Sequence, residues 1–429
     1  MDYVFKNAMI LRGGKLVSDS IAVSDGVCVP LDRVSTDALF FDCSGLTILP
    51  GFADVHVHLR EPGFLYKESI LTGSRAAARG GYTTVCAMPN LDPAPDTKEH
   101  LQVELDAIRR DAAIRVLPYG TITMGRKGQQ LSQMEAIAAD VAAFSDDGSG
   151  VQSDDMMFSA MEKAKRLGKI IAAHCEDNKL LRGGYIHDGA YAKAHGHAGI
   201  CSESEWGQIA RDLALVKRSG CAYHVCHIST KESVELIRRA KAEGLDVTCE
   251  TGPHYLLLDE NDLLEDGRFK MNPPLRAPED RQALLEGLLD GTIDMIATDH
   301  APHSMEEKSR GLKASAMGVV GIETAFPLLY TYLVKPGILN LPRLVELLHD
   351  NPGRRFGLDG GLEIGQQADF TLFDLNSTYT VDPAEFLSKG KSTPFLGWNV
   401  YGRCRMTVAG GKIAWTDGTL EEQYEAKQI

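Results

Sequence analysis

Apolar runs of strand length recur through the middle of the chain, separated by segments whose apolar positions follow a helical period. The runs are "FADVHVHL" from Phe52, "TTVCAMPN" from Thr83, "IRVLPYGTIT" from Ile114, "VAAFSDD" from Val141, "IIAAHCE" from Ile170, "AYHVCHIS" from Ala222, "VTCETGPHY" from Val247 and "IDMIATDH" from Ile293. Near-continuous apolar strands, each followed by a crossover, predict a parallel sheet with both faces covered, and eight of them predict a (β/α)8 TIM barrel. A doubly wound open sheet is the runner-up, but no GxGxxG follows the first run. Among the intervening segments, "STKESVELIRRAKAEG" reads as an amphipathic helix, with Ser229 and Glu232 at capping-box spacing and Gly244 where a helix would stop.

The two ends of the chain follow a different pattern. "AMILRGGKLV" and "RMTVAGGKIAW" are short apolar runs broken by Gly-Gly, the dipeptide of a tight hairpin, and "ADFTLFDL" from Ala368 is another short strand. Neither end is long enough for its own core. Residues 1–50 and 360–429 are therefore expected to pair into one small β-domain, a β-sandwich, attached to a barrel of residues 51–359.

Composition narrows the function. The 429 residues are 44% hydrophobic and 24% charged, an ordinary globular balance for one large and one small domain. A formal net charge of −14 argues against a nucleic-acid surface and leaves no polybasic patch for a membrane. No apolar run approaches the ~20 residues needed to span a bilayer, and the N-terminus lacks a charged-then-apolar signal pattern. The nine cysteines form no CxxC pair and read as reduced thiols of a cytoplasmic protein. Cys175 and Cys226 are expected to be buried strand residues rather than nucleophiles.

The candidate chemistry sits at the ends of the predicted strands, where barrels place it. His56 and His58 end the first run, and strand alternation puts them on one face together with Arg60. Such groups are costly in a buried strand unless an anion or a metal meets them. Asp146 and Asp147 end the fourth run, His174 the fifth, His227 the sixth and Asp299 the eighth. Histidine and carboxylate are ligands that a hydrolytic Zn²⁺ favours. Two imidazoles and an Asp suit one ion, two further imidazoles a second, and a carboxylate bridges them; water shared by ions ~3.5–4 Å apart ionises near neutral pH. Asp299 has a second candidate role, taking that water's proton and handing it to a leaving nitrogen. His224, of opposite parity to His227, is expected to pack, His254 and His300 to lie near the rim, and His100, His187, His195, His197 and His349 at the surface.

Together, "DVHVHLREPG", "GGYTTVCAMPN", "FSDDG", "AHCED", "HVCHIST", "KMNPPLR", "IATDHAPH" and "KSTPFLGW" are specific, and through them the chain resembles the bacterial stand-alone class of dihydroorotases in the amidohydrolase superfamily over nearly its whole length. The resemblance implies two Zn²⁺ per subunit, one on His56, His58 and Asp299 and the other on His174 and His227. Of the two aspartates it selects Asp147 as the bridge, alongside a hydroxide. It further implies substrate contacts from His58, Arg60, Asn90, Asn272, His303, Met317 and Gly318, with the fork of Arg60 gripping a substrate carboxylate.

The implied reaction is the reversible cyclisation of N-carbamoyl-L-aspartate to L-dihydroorotate and water in pyrimidine (UMP) biosynthesis. Allantoinases and hydantoinases are the nearest alternatives, but they generally use a carboxylated-lysine bridge and lack the arginine at the position of Arg60. A non-catalytic scaffold is the other alternative, and here every ligand position is filled. The resemblance is compatible with a homodimer and with association with a transcarbamoylase, and fixes neither. The segment "HSMEEKSRGLKASAMGVVG", polar and poor in apolar residues, is expected to be a mobile lid carrying Met317 and Gly318.

Overall fold

The computed structural model describes residues 2–420. Strands β1 (Tyr3–Arg12) and β2 (Lys15–Ser24) form an antiparallel hairpin closed by Gly13 and Gly14, both left-handed, as a two-residue loop requires. Strand β3 (Val27–Val29) pairs with β2, while β4 (Leu39–Asp42) and β5 (Thr47–Pro50) lie parallel to β1. Only Gly51 separates β5 from the next strand, β6 (Phe52–Val57). No side chain fits there, because a Cβ on Gly51 would lie 2.2 Å from the Thr83 methyl.

Parallel pairing then runs from β6 to β7 (Tyr82–Ala87) and on to β8 (Arg115–Pro118). A short pair, β10 (Ile186–His187) and β11 (Gly199–Ile200), follows β9 (Ile171–Ala173). Strand β9 itself pairs with β12 (Tyr223–Val225), β12 with β13 (Val247–Thr251), and β13 with β14 (Met295–Ile296), all parallel. Single parallel bridges join the two groups: Phe144 links Gly120 to Ile171, and His300, just past β14, returns to Val57. The parallel pairings therefore close on themselves.

The run "VAAFSDD" is the fourth member of this circuit: Ala142 N–H donates to Pro118 O and Gly120 N–H to Ala143 O on one side, and Phe144 N–H donates to Ile170 O and Ala172 N–H to Phe144 O on the other. Immediately afterwards Asp146 turns its carboxylate onto the N–H groups of Ile122 and Thr123, which ends the ladder. Helices occupy the crossovers, among them Ile70–Arg79, Lys98–Asp111, Glu203–Ser219 and Lys231–Ala242. The last of these is capped by Thr230, whose hydroxyl accepts from Ser233 N–H. Ser229, the expected cap, is held by the Glu205 carboxylate instead.

The C-terminal strands β15 (Phe370–Thr380), β16 (Asn399–Ala409) and β17 (Lys412–Thr416) return to the first sheet, β15 lying antiparallel to β5, and Gly410–Gly411 turning β16 into β17. The result is a mixed α/β fold in which one eight-stranded sheet draws on both ends of the chain. Met1 and residues 421–429 of the expected terminal segments lie outside the described residues. Phe5 stacks on Phe41 (5.0 Å between ring centroids) and meets Phe370 edge-on (5.1 Å) inside the terminal sheet's own core. Phe373 of β15 packs against Phe326 (4.3 Å), and Phe326 against Phe52 of β6 (5.1 Å), so aromatic rings join sheet to circuit. All nine cysteines are free thiols. Among the described residues no helix is long and apolar enough to cross a membrane.

Candidate active site

The carboxylate of Asp147 stands among four imidazoles. Its Oδ1 is 3.3 Å from His56 Nε2, 3.6 Å from His227 Nε2 and 3.7 Å from His174 Nδ1, and its Oδ2 is 3.6 Å from His58 Nε2. Asp299 Oδ1 lies 3.0 Å from His58 Nε2 and 3.6 Å from His56 Nε2. His174 Nδ1 and His227 Nε2 are 3.0 Å apart. Asp146, by contrast, is used up by backbone N–H groups and the Thr123 hydroxyl, and faces away.

His56 Nε2 and Asp147 Oδ1 are buried atoms without a hydrogen-bond partner. Leaving such atoms unpaired costs about 1–3 kcal/mol each, and cations held between them would remove that cost. The ligand atoms of His56, His58 and Asp299, and those of His56, Asp147 and His227, lie within 4.8 Å of one another. The donor set is the imidazole-and-carboxylate chemistry of a hydrolytic metal site. The residues fit a metal centre.

Strand alternation explains only part of this convergence. The strands stop at Val57, Val225 and Ile296, and just beyond them Arg60, His227 and Asp299 adopt left-handed backbone (φ 60°, 34° and 45°). Non-glycine residues seldom hold this conformation, and three of the seven that do so among the described residues line one cleft.

A second layer escaped the reading of the sequence. The Nδ1–H of His56 donates to Glu250 Oε1 (2.7 Å), and Glu250 Oε2 lies 3.1 Å from His224 Nε2, whose Nδ1 is 2.9 Å from the Thr248 hydroxyl. The bond to Glu250 leaves the His56 Nε2 lone pair directed at the site. Burial pushes the Glu250 carboxyl up, but the imidazoles of His56 and His224 that face it outweigh this and hold the group at about 2. Asp54 accepts from the Thr298 N–H and hydroxyl and from the His56 N–H, tying β6 to the turn before Asp299. The only signal was a polar residue inside an apolar run, Asp54 in "ADVHV" and Glu250 in "VTCET".

His224 is packed, as expected, but it packs onto the metal ligands' support. His254 and His300 are buried. Of the five histidines expected at the surface, only His195 is exposed, and His187 is buried. The pairing of β10 with β11 folds the insertion over His187, placing its Nδ1 3.4 Å from Arg276 Nη1. Cys175 and Cys226 are buried, and burial pushes the Cys226 thiol up to about 12, so it is no nucleophile.

His58, Arg60, Asn90, Asp147, His174, His227, Asn272, Asp299, His303, Met317 and Gly318 line one cleft of about 210 Å³, sized for a small polar molecule, and fully buried His56 adjoins it. Asn90 Oδ1 accepts from His58 Nδ1–H (2.8 Å), and Asn272 donates to Glu176 (2.8 Å). His303 Nε2–H donates to Met317 O (2.8 Å), and its Nδ1 faces Lys67 Nζ at 3.2 Å. Burial and the charges of Arg60 and Lys67 push this imidazole down to about 3, so it is neutral. Arg60 is buried, and its Nε donates to Pro302 O (3.2 Å). Burial lowers its guanidinium to about 10, so it stays cationic at neutral pH.

Residues 45–233 match the family model described as Dihydro-orotase-like. Over 428 residues the chain is 50% identical to the dihydroorotase of Anoxybacillus flavithermus (strain DSM 21510 / WK1), covering 98% of this chain and 100% of that protein. The chain belongs to the dihydroorotase family. The dihydroorotase of Bacillus cereus (strain AH820) is likewise 50% identical, over 97% of this chain and 98% of its own. Dihydroorotases are metal-dependent hydrolases of the amidohydrolase superfamily. Among solved structures, the L-hydantoinase (dihydropyrimidinase) from Arthrobacter aurescens superposes with a TM-score of 0.86 at 27% identity, covering 98% of this chain and 97% of that one. A dihydropyrimidinase from Brevibacillus agri NCHU1002 superposes with a TM-score of 0.84 at 22% identity, over 96% of this chain and 95% of that one, a likeness of fold.

Proposed function

We propose that this member of the dihydroorotase family interconverts N-carbamoyl-L-aspartate and L-dihydroorotate plus water, on the route to pyrimidine nucleotides. The observation that carries the choice of substrate is Arg60. A buried guanidinium is expensive unless paired; among the described residues its hydrogen-bond acceptor is the carbonyl of Pro302, and the His303 ring nitrogen 3.4 Å away already carries the proton given to Met317. Both open and closed substrates carry a carboxylate to meet it, whereas an unsubstituted hydantoin ring carries none.

In this reading the closed parallel circuit is a (β/α)8 barrel of residues 51–359, and the described residues of the segments 1–50 and 360–429 form the small β-domain. His56, His58 and Asp299 would hold one Zn²⁺, and His174 and His227 a second, with Asp147 between them. When bound, such ions supply Lewis acidity and lower the pKa of water. The free thiols support a reducing, cytoplasmic setting.

The chain's own residues do the rest. Arg60 and the Asn90 amide, itself oriented by His58, hold the non-reacting carboxylate. Burial pushes the Asp299 carboxyl up, but the imidazoles of His58, His56 and His227 around it hold it well below the usual carboxylate range. It therefore starts ionised, takes a proton from the attacking water and delivers it to the departing ring nitrogen. In the synthetic direction protonated Asp299 helps water leave the attacked carboxylate.

The deciding assay offers the purified protein carbamoyl aspartate, dihydroorotate, hydantoin and allantoin. Turnover is expected with the first pair; rapid hydrolysis of hydantoin or allantoin with none of dihydroorotate would overturn the proposal. Charge balance adds a second expectation. The open form carries two carboxylates and the ring one, so closure consumes a proton, and the ring-to-open ratio at equilibrium should fall about tenfold per pH unit above the carboxyl pKa values. A flat ratio from mildly acidic to alkaline pH refutes this substrate pair.

A further inference from the structure

Lys270 and Lys308 are the only buried lysines among the described residues, and both lie beside the cleft. Their donors go to carbonyl oxygens rather than to carboxylates. Lys308 Nζ donates to Lys270 O (2.9 Å) and to Ala316 O (2.8 Å), and Lys270 Nζ donates to Lys313 O (2.8 Å). Gly318 N–H also donates to Lys270 O (3.1 Å). One ammonium thus joins two separate stretches of backbone. The first leads within two residues to Asn272, and the second leads directly into Met317 and Gly318, all three lining the cleft.

Taking the proposed reaction as given, we infer that Lys308 is a positioning residue for substrate binding: it clasps the Met317–Gly318 segment to the Asn272 segment and so sets the wall opposite the metal ligands. The expected lid is accordingly tethered at its far end. Its first half is two short helices, Met305–Lys308 and Gly311–Ala314, with Met305 fully on the outside. Lys308 closes the first helix with its side chain turned inward, where burial pushes its ammonium down to about 7. A neutral amine still has two N–H donors, one for each carbonyl, so the clasp survives either protonation state. Without it, Ala316 O loses its partner and Lys270 O keeps only the Gly318 N–H, so the segment gains freedom that substrate must remove on binding. Lys308 touches no metal ligand in this arrangement, so the clasp acts on binding and not on the chemical step.

The test compares wild type with Lys308→Met, which keeps the aliphatic stem without donors, and Lys308→Arg, which keeps N–H donors. The expected result for Lys308→Met is a KM for both carbamoyl aspartate and dihydroorotate raised about tenfold or more, kcat within about threefold of wild type, and unchanged metal content. Faster limited proteolysis within residues 303–318 should accompany it, with Lys308→Arg recovering part of both effects. A Lys308→Met protein with wild-type KM and wild-type cleavage overturns the inference, as does one in which metal and kcat are lost together. Proteolysis needs no substrate, so failure of the clasp and failure of the proposed reaction are distinguishable.

Discussion

Asp299→Asn should lower turnover in both directions by about 10²–10⁴-fold, the contribution of a positioned general acid–base, while the protein folds normally. Asn is the informative replacement because residue 299 holds a left-handed backbone (φ 45°). Asn tolerates that conformation and Ala does not, so Asp299→Ala would mix lost chemistry with backbone strain. The amide can still face His58 but cannot carry a proton from water to nitrogen. Asp299 would also belong to the proposed ligand set, so metal content by elemental analysis must be read beside kcat. A variant that keeps both its metal and near-normal turnover would show that Asp299 is no proton carrier.

The second large effect is expected at Glu250. Glu250→Ala strands the Nδ1–H of His56, Nε2 of His224 and the N–H of His227, all buried and all now partnered by this one carboxylate. Removing one side of a buried charged network costs about 3–5 kcal/mol, and loss of a carboxylate behind a ligating histidine weakens metal affinity by about 10–100-fold. Glu250→Gln should behave quite differently. Its amide oxygen can accept from His56 while its NH₂ faces His224, which is free to switch tautomer and donate to Thr248. Titration of the apoprotein with zinc and thermal melting measure the two effects. Equal losses in the Ala and Gln variants would mean that the carboxylate's charge, not its acceptor geometry, is what matters.

Periodicity made the strands and both Gly-Gly hairpins legible, because a two-residue turn and a buried strand each leave a local signature. The fourth strand is legible as apolar "VAAF", but where its pairing stops is not, because Asp146 takes the Ile122 and Thr123 N–H groups just beyond it. Ser229 and Thr230 both offer a capping hydroxyl, and Glu205, distant in sequence, bonds to both, so the local pattern does not tell which of them caps. The site residues are visible as types at strand ends, and alternation by itself accounts for His56 and His58 on one face. Arg60, His227 and Asp299 reach the cleft through left-handed turns that no period encodes. Glu250 and His224 were hidden because a buried polar residue inside a strand announces a partner without saying which.

The single glycine between β5 and β6 couples the making of the protein to the making of its site. The strand that carries His56 grows straight out of a sheet whose remaining neighbours, beginning with the pairing of Ile48 to Leu372, are synthesised last. Closing so long a loop is entropically costly and slow relative to local pairing. A nascent chain halted anywhere before Phe370 would hold β5 by β1 and β6 by β7 alone, so the strand that carries His56 gains its last sheet neighbour only when synthesis is nearly done.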